Sequence, residues 1–381
     1  MNTRNRSRLI YWTVFFAASA LFFSCQKEKT YHIELKDGVR LVHNLKPKNE
    51  APAAGLEFSQ QIGELDTKDE NYLFAFPMSV AEDGQGDIFI LDTKDGCVKK
   101  FSAAGQYLTR FGRNGQGPGE FQFPMTIDVS PQDQLFVSTM SSHFHLFDLT
   151  GRFIDRLELP RYQGLFPKYM NSGHIVAYSM DINGSNSPDN TILKIYDGRG
   201  NIVKEFGEPF LVDKTRSSWS ANFLHLTVDG SDNIYAAFVH QNRIEKYSDS
   251  GRLLMLIDRT LPIKVEYGYR KETMDIGGSV RTLDVGDFPV VAHGIGVDGQ
   301  DRIWVLGSKK EIPKDIQREE FIPQDYLVFE VYGEDGVLLF HIPFPAGVSS
   351  FDSMTMHGDH LFFADPHGQA CVYEYKVVEI R

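Results

Sequence analysis

The stretch Val80–Asp92, VAEDGQGDIFILD, decides the fold because the chain repeats it. Leu226–Phe238 reads LTVDGSDNIYAAF and Ile295–Gly307 reads IGVDGQDRIWVLG. Ile127–Thr139, IDVSPQDQLFVST, keeps the frame without the glycine. Each has an apolar–x–apolar strand, an acidic turn, and a second strand built on Ile or Leu beside an aromatic. A third strand, a glycine turn and a fourth strand follow, as in VKKFSAAGQYLTRFG (98–112), LKIYDGRGNIVKEFG (193–207) and VFEVYGEDGVLLFHI (328–342). Period-2 alternation marks antiparallel strands. Asp-Gly and Gly-Arg turns are expected to supply the positive φ that two-residue hairpins require.

Four strands in about 40–50 residues make one propeller blade. Six such units fit, at 76–112, 123–158, 166–208, 222–258, 290–343 and 351–380. The last has three strands of its own, FDSMTM, HLFFAD and ACVYEYKVV. Residues 56–77 match 108–124 as an outer strand plus crossover, so Leu56–Ile62 supplies the missing fourth. The expected fold is an all-β, six-bladed propeller of four-stranded antiparallel blades. Its ring is closed by an N-terminal strand on the last blade, which removes exposed sheet edges. Tyr31–Asn44, YHIELKDGVRLVHN, is left over, alternates like a strand, and is expected to pack outside the ring.

Ahead of the propeller, Arg4, Arg6 and Arg8 precede an apolar run, Leu9–Phe23, then Ser24-Cys25. That is the layout of an export signal, and the run is short for a membrane span, which needs about 20 residues. Cys25 after a small residue is similar to a bacterial lipoprotein signal, with Cys25 as the lipidated first residue. Phe22 and Phe23 depart from the usual Leu and Ala or Ser. The expected division is residues 1–24 as signal, 25–55 as tether and leading strand, and 56–381 as propeller. Residues 26–29, QKEK, place no inner-membrane retention Asp beside Cys25, which favours the outer membrane. Removing 1–24 takes three arginines and no acids, so the net charge falls from −12 to −15. An acidic chain argues against nucleic acid or anionic lipid as partner. Cys97 and Cys371 occupy matching positions of blades one and six, too far apart for the Cα separation of about 4.4–6.8 Å that a disulfide needs. They are expected to be free and buried.

The combination of FP-x-x-Ile/Val, D-G-x-x-x-Ile-aromatic, Ile/Val-x-K-Phe/Tyr and FGRNGQGPGEF resembles the six-bladed propeller lipoproteins of Bacteroidota, relatives of the NHL-repeat proteins. The resemblance covers nearly all of the chain after the signal. It implies the fold and leaves the activity open, since NHL-like propellers include binding scaffolds, a peptide-amidating lyase and lactonase-type hydrolases with a metal in the central channel.

The hairpin turns are uniformly tight, and every long insertion falls on the opposite face: Ser179–Thr191 and Gly307–Tyr326 in strand two–three loops, Phe210–Asn222 and Arg259–Pro289 in crossovers. Long irregular segments in compact domains are commonly functional, so the ligand is expected there. Candidates on this face are Arg113, Arg216, Trp219, His225, His293 and Lys309. Arg and Trp in long loops suit carbohydrate or peptide. Asp92 and Asp365 end the second strands of neighbouring blades, where they can share a cation or each cap its own turn. His225 and His293 lie on neighbouring inner strands and can ligate zinc or act as acid and base. One position apart in the repeat frame, they are expected on opposite strand faces. His143 and His145 share one strand face and suit packing, while His357, His360 and His367 straddle a turn without ligand spacing.

The run Arg110–Phe121, RFGRNGQGPGEF, is read as a blade crossover. A phosphate loop leads into a helix, whereas here Pro118 interrupts the glycines and FQFPMTIDV starts a strand. The preferred function is an envelope-anchored binding propeller for a glycan, peptide or partner protein, with no cofactor. The alternative is a lyase or lactonase-type hydrolase holding Ca or Zn at the channel.

Overall fold

The computed structural model describes residues 29–140, 143–160, 166–178, 191–212, 220–276 and 279–380. Cys25 lies outside them. Six four-stranded antiparallel blades follow one another around a channel, starting with Pro77–Glu82, Ile88–Asp92, Cys97–Phe101 and Tyr107–Phe111 in blade one. The inner strands of blades two to six are Pro124–Val129, Lys168–Tyr169, Leu224–Val228, Ala292–Val297 and Ser353–His357. Apolar residues of each strand point to both sheet faces, because a blade in the ring has a neighbour on either side. Buried hydrophobic clusters accordingly fill the seams between blades. One packs Phe89, Leu91 and Phe111 of blade one on Ile127, Leu135 and Phe147 of blade two.

The turns divide. Between strands three and four, Gly336 of Asp-Gly and Gly151 and Gly251 of Gly-Arg hold the positive φ, as expected. Between strands one and two the glycine of Asp-Gly does not. That conformation falls two residues later, at Gly86, Asp232 and Asp301. The aspartate instead folds the turn through its carboxylate: Asp83 Oδ1 accepts from the Gln85 and Asp87 N–H at 3.0 and 2.9 Å, and Asp298 Oδ1 from Gln300 and Arg302 at 2.9 Å each. These are three-residue hairpins with an αL residue, the longer of the two common designs. A recurring Asp is needed for its acceptor oxygen as much as the glycine for its freedom.

Ring closure is as expected, two residues longer. Ala54–Ile62 runs antiparallel to Cys371–Glu379, from Ala54 opposite Glu379 to Ile62 opposite Val372. The leftover segment lies outside, as a hairpin of Tyr31–Lys36 and Val39–Asn44 turning at Asp37 and Gly38. Its second strand pairs parallel with Leu253–Asp258, the outer strand of blade four. From there the chain crosses blade five. Asn44, 2% exposed, donates to the Gly336 carbonyl at 3.0 Å and accepts from the Leu338 N–H at 2.7 Å. Lys48 and Asn49 N–H then donate to Leu338 and Leu339. Residues 31–62 thus form a belt over three consecutive blades.

Cys97 and Cys371 are free and buried. Loss of hydration pushes their thiols up to about 11 and about 12. Both are expected to resist alkylation at pH 8 in the folded protein and to react stoichiometrically in denaturant; labelling of either in the native state would contradict their burial. Asn44→Ala removes two buried hydrogen bonds and strands their backbone partners, which costs about 2–3 kcal/mol. Urea unfolding of the variant measures it.

Candidate functional site

In the glycine run the anion is the chain's own. Glu120 Oε2 accepts from the Gln116 and Gly117 N–H at 3.1 and 2.9 Å, and Arg113 Nε donates to Glu120 Oε1 at 2.7 Å. These bonds, the Gly117 amide foremost, hold the Glu120 carboxyl below its usual range. A side chain at Gly115 would sit 2.1 Å from Glu120 Oε2, and one at Gly112, where φ is +79°, 2.3 Å from the Phe121 ring. The glycines make room for that internal carboxylate and for Phe121. Arg113 is engaged in the same knot.

Other candidates are placed as follows. Asp92 accepts from Ala75, Phe76 and Asp95 N–H at 2.7, 2.9 and 3.2 Å. Asp365 accepts from Gly368 and Gln369 N–H at 2.7 and 3.0 Å, and from the Ser350 hydroxyl. Each carboxylate folds its own crossover and loop. Lys309 Nζ donates to the Gln324 carbonyl at 2.6 Å, and Lys310 lies 4.2 Å from the Tyr326 ring centre, so both fasten the insertion of blade five. Arg216 and Trp219 lie outside the described residues.

His225 lies on the inner strand of blade four and His293 on that of blade five, and a charge on His225 would oppose one on His293. The inner strand of blade five slips register between Ala292 and Gly294, so His293 sits on a β-bulge that blade four lacks. One inserted residue re-aims the side chain. His293 Nε2 is 2.9 Å from Ser308 Oγ, and that hydroxyl donates to the Val290 carbonyl at 2.9 Å. With its only proton committed, Ser308 can only accept from the ring. His293 therefore carries its proton on Nε2 and is left with Nδ1 as acceptor. His240 is fixed likewise, its Nδ1 donating to the Pro289 carbonyl at 2.9 Å. Desolvation lowers all three imidazoles, His225 to about 4 and His293 to about 3.

Aromatic rings flank these imidazoles. Phe166 stands 5.8 Å from His225, and Phe288 stands 5.6 Å from His240 and 5.7 Å from Tyr267. Tyr267 also packs on Phe210 and donates from its hydroxyl to the His240 carbonyl at 3.0 Å. This cluster is the base of a hairpin, Gly268–Ile276 and Ser279–Asp287, into which the longest insertion folds. Phe166 has φ of +58°, a conformation that bulky residues rarely hold. The arrangement offers flat apolar faces beside neutral acceptors.

The remaining histidines divide. His145 is buried edge-on against Phe121 at 5.3 Å, as packing requires. His367 bonds Asp352 at 3.0 Å, and His360 bonds Glu82 at 2.8 Å. Among the described residues no group of three His, Cys, Asp or Glu side chains is disposed to hold a metal ion.

A family model described as DUF5128, 6-bladed beta-propeller, matches residues 60–259. The chain belongs to this family. No curated protein matches it. Among solved structures, a DUF4221-family member from Bacteroides vulgatus is similar with a TM-score of 0.60 at 11% identity, over 86% of this chain and 99% of the other. A putative exported protein from Bacteroides fragilis gives 0.55 at 10% identity, over 90% and 100%. The PQQ-bound aldose sugar dehydrogenase of Streptomyces coelicolor gives 0.51 at 14%, over 86% and 99%. At such identities the likeness is one of fold.

In this DUF5128 propeller, sequence reasoning missed His240, Phe166 and Phe288 at the mouth. The signal was present, since Phe76-Pro77, Phe123-Pro124, Phe166-Pro167 and Phe288-Pro289 all end crossovers. Six desolvated imidazoles set an acid dependence, His240 and His341 among them. His145, His225 and His357 are lowered to about 4 and His293 to about 3, from an ordinary 6.5. The unfolded chain binds protons first as pH falls, so stability is full above about 6.5 and is lost progressively toward pH 4. Urea midpoints at pH 7.5 and 5.0 are expected to differ clearly, with roughly three to four protons taken up by His145, His225, His293 and His357 on unfolding at pH 5.

Proposed function

We propose that this propeller is an envelope-anchored binding protein whose loop-rich mouth takes an uncharged glycan. One observation carries the reading: Phe166 and Phe288 stand against imidazoles that burial keeps neutral, and a neutral imidazole keeps one acceptor nitrogen. Sugar rings present apolar C–H faces and a rim of hydroxyl donors, which this lining matches in shape and polarity. A peptide or partner protein is the other ligand class the loops suit. The NHL relationship and the lipid on Cys25 belong to the same proposal. So does an outer-membrane address; among the described residues no helix is long and apolar enough to cross a membrane.

An enzyme is the second reading, and the fixed tautomer of His293 favours it, because Ser308 leaves Nδ1 as a positioned base. Under it a divalent metal would sit at the channel. Metal analysis of the purified protein separates the two, and stoichiometric Ca or Zn would overturn the binding reading.

Titration calorimetry with neutral tetrasaccharides of glucose, galactose and mannose tests the ligand class. Saturable binding is expected, weakened about 10-fold, or ~1.4 kcal/mol, by Phe166→Ala and by His225→Ala. Absence of binding to all three would remove the glycan reading. Cys25→Ser is expected to abolish metabolic labelling by palmitate and release the protein from the membrane fraction.

A further inference from the structure

The repeat frame exposes a flaw in one seam. At the inner-strand position of Ser79, the other blades carry Thr126, Phe166, His225, Gly294 and Ser353. The polar ones reach the next blade's backbone: Ser79 Oγ accepts from the Ile127 N–H at 3.1 Å, and Ser353 Oγ donates to the Met78 carbonyl at 2.6 Å. His225 faces the Ala292 carbonyl. Thr126 should bond in turn to blade three, but the residue equivalent to Ile127 there is Pro167, which has no N–H. Thr126 Oγ1 is consequently buried without a protein partner, in a residue 4% exposed that lines the channel cavity at the mouth.

Two positions on, the anomaly continues. Blade three places Lys168 where the others carry Ala81, Asp128, Thr227, Gly296 and Thr355, none longer than aspartate. Lys168 lines both the mouth cavity and a second one toward the tight-turn end, shared with Thr227 and Met356. Among the described residues its ammonium has one ion-pair partner, Asp128 at 3.6 Å, and no hydrogen bond. Blade six is diametrically opposite. From it His357 lines the second cavity, its Nε2 buried without a protein partner. A neutral imidazole carries its proton on either nitrogen, so Nε2 can give or take a hydrogen bond.

The Thr126 hydroxyl lines the mouth cavity, the His357 imidazole the second one and the Lys168 ammonium both, and none of the three bonds another. The two buried atoms without a partner, Thr126 Oγ1 and His357 Nε2, cost about 1–3 kcal/mol each, and an occupant able both to give and to take protons satisfies both and can accept from the Lys168 ammonium. Lys168 and Asp128 cancel in charge, and the other lining carboxylates, Asp229 and Asp352, pair with Lys246 and with Arg318 and His367, which disfavours a net anion or cation. We infer that the channel is a second recognition element, holding the hydroxyl-rich end of a neutral sugar or polyol between Thr126, Lys168 and His357. This rests on the glycan reading of the mouth and extends it: the rings grip the chain outside, and the channel reads its terminal unit.

Calorimetry with the free monosaccharides and with the tetrasaccharides tests this on the full chain without its signal. Thr126→Val is the decisive variant, since it keeps shape and removes only the orphan hydroxyl. Melting temperature is expected to rise slightly while affinity for both probes falls about fivefold. Lys168→Met is expected to lose tenfold or more. Should Thr126→Val raise the melting temperature and leave binding unchanged, the hydroxyl faces water only and the inference falls. If tetrasaccharides still bind and only Phe166→Ala weakens them, the mouth reading survives alone. If no sugar binds at all, both fall.

Discussion

The antiparallel pairing of Ala54–Ile62 with Cys371–Glu379 joins the first described part of the chain to the last, and the seams of the ring depend on it. A blade is apolar on both faces and has no stable place except between two others. Without that pair, blade six lacks its outer strand and the ring has an open edge. Every seam is long-range in sequence only at this point. Between the other blades of the ring, those that touch follow one another in sequence.

Within the ring, small departures from the repeat do the specifying. Gly294 and Gly296 let Met354 and Met356 of blade six lie on the backbone of blade five, where an added Cβ would come within 2.8 and 2.4 Å of them. Between blades four and five, Arg259 grips Glu330 with two bonds of 2.8 and 2.9 Å and also donates to the Val291 carbonyl at 2.9 Å. A buried bidentate pair of this kind fixes orientation more surely than it adds stability. It sets the angle at which the His293 bulge meets the mouth.

Blade number, blade limits and ring closure were legible because strand alternation and acidic turns recur at a spacing nothing else in the chain shares. The free thiols followed from the same frame. The frame did not register the residue inserted at His293, because a bulge leaves the spacing of apolar residues intact. It also missed the role of the turn aspartates, whose carboxylates act at a distance of two and four residues. Parallel pairing of Val39–Asn44 with blade four has no local signature, since the contact partners lie over two hundred positions apart. The mouth was located by its insertions, whereas its lining was hidden in a motif that looked like blade punctuation, the Phe-Pro at the end of four crossovers.

The belt has a mechanical meaning. The chain leaves the ring at the rim of blade four, away from both channel ends, with Tyr31 opposite Asn44 at the open end of an outer hairpin. A pull on the chain ahead of Tyr31 therefore loads the hairpin bond by bond from its end, like a zip. Tension must travel around the turn at Asp37-Gly38 before it reaches the Asn44 clamp in blade five. About 13 residues of chain, roughly 40 Å when extended, come free first. The hairpin is thus a built-in length of slack that shields the ring from strain on the chain ahead of Tyr31.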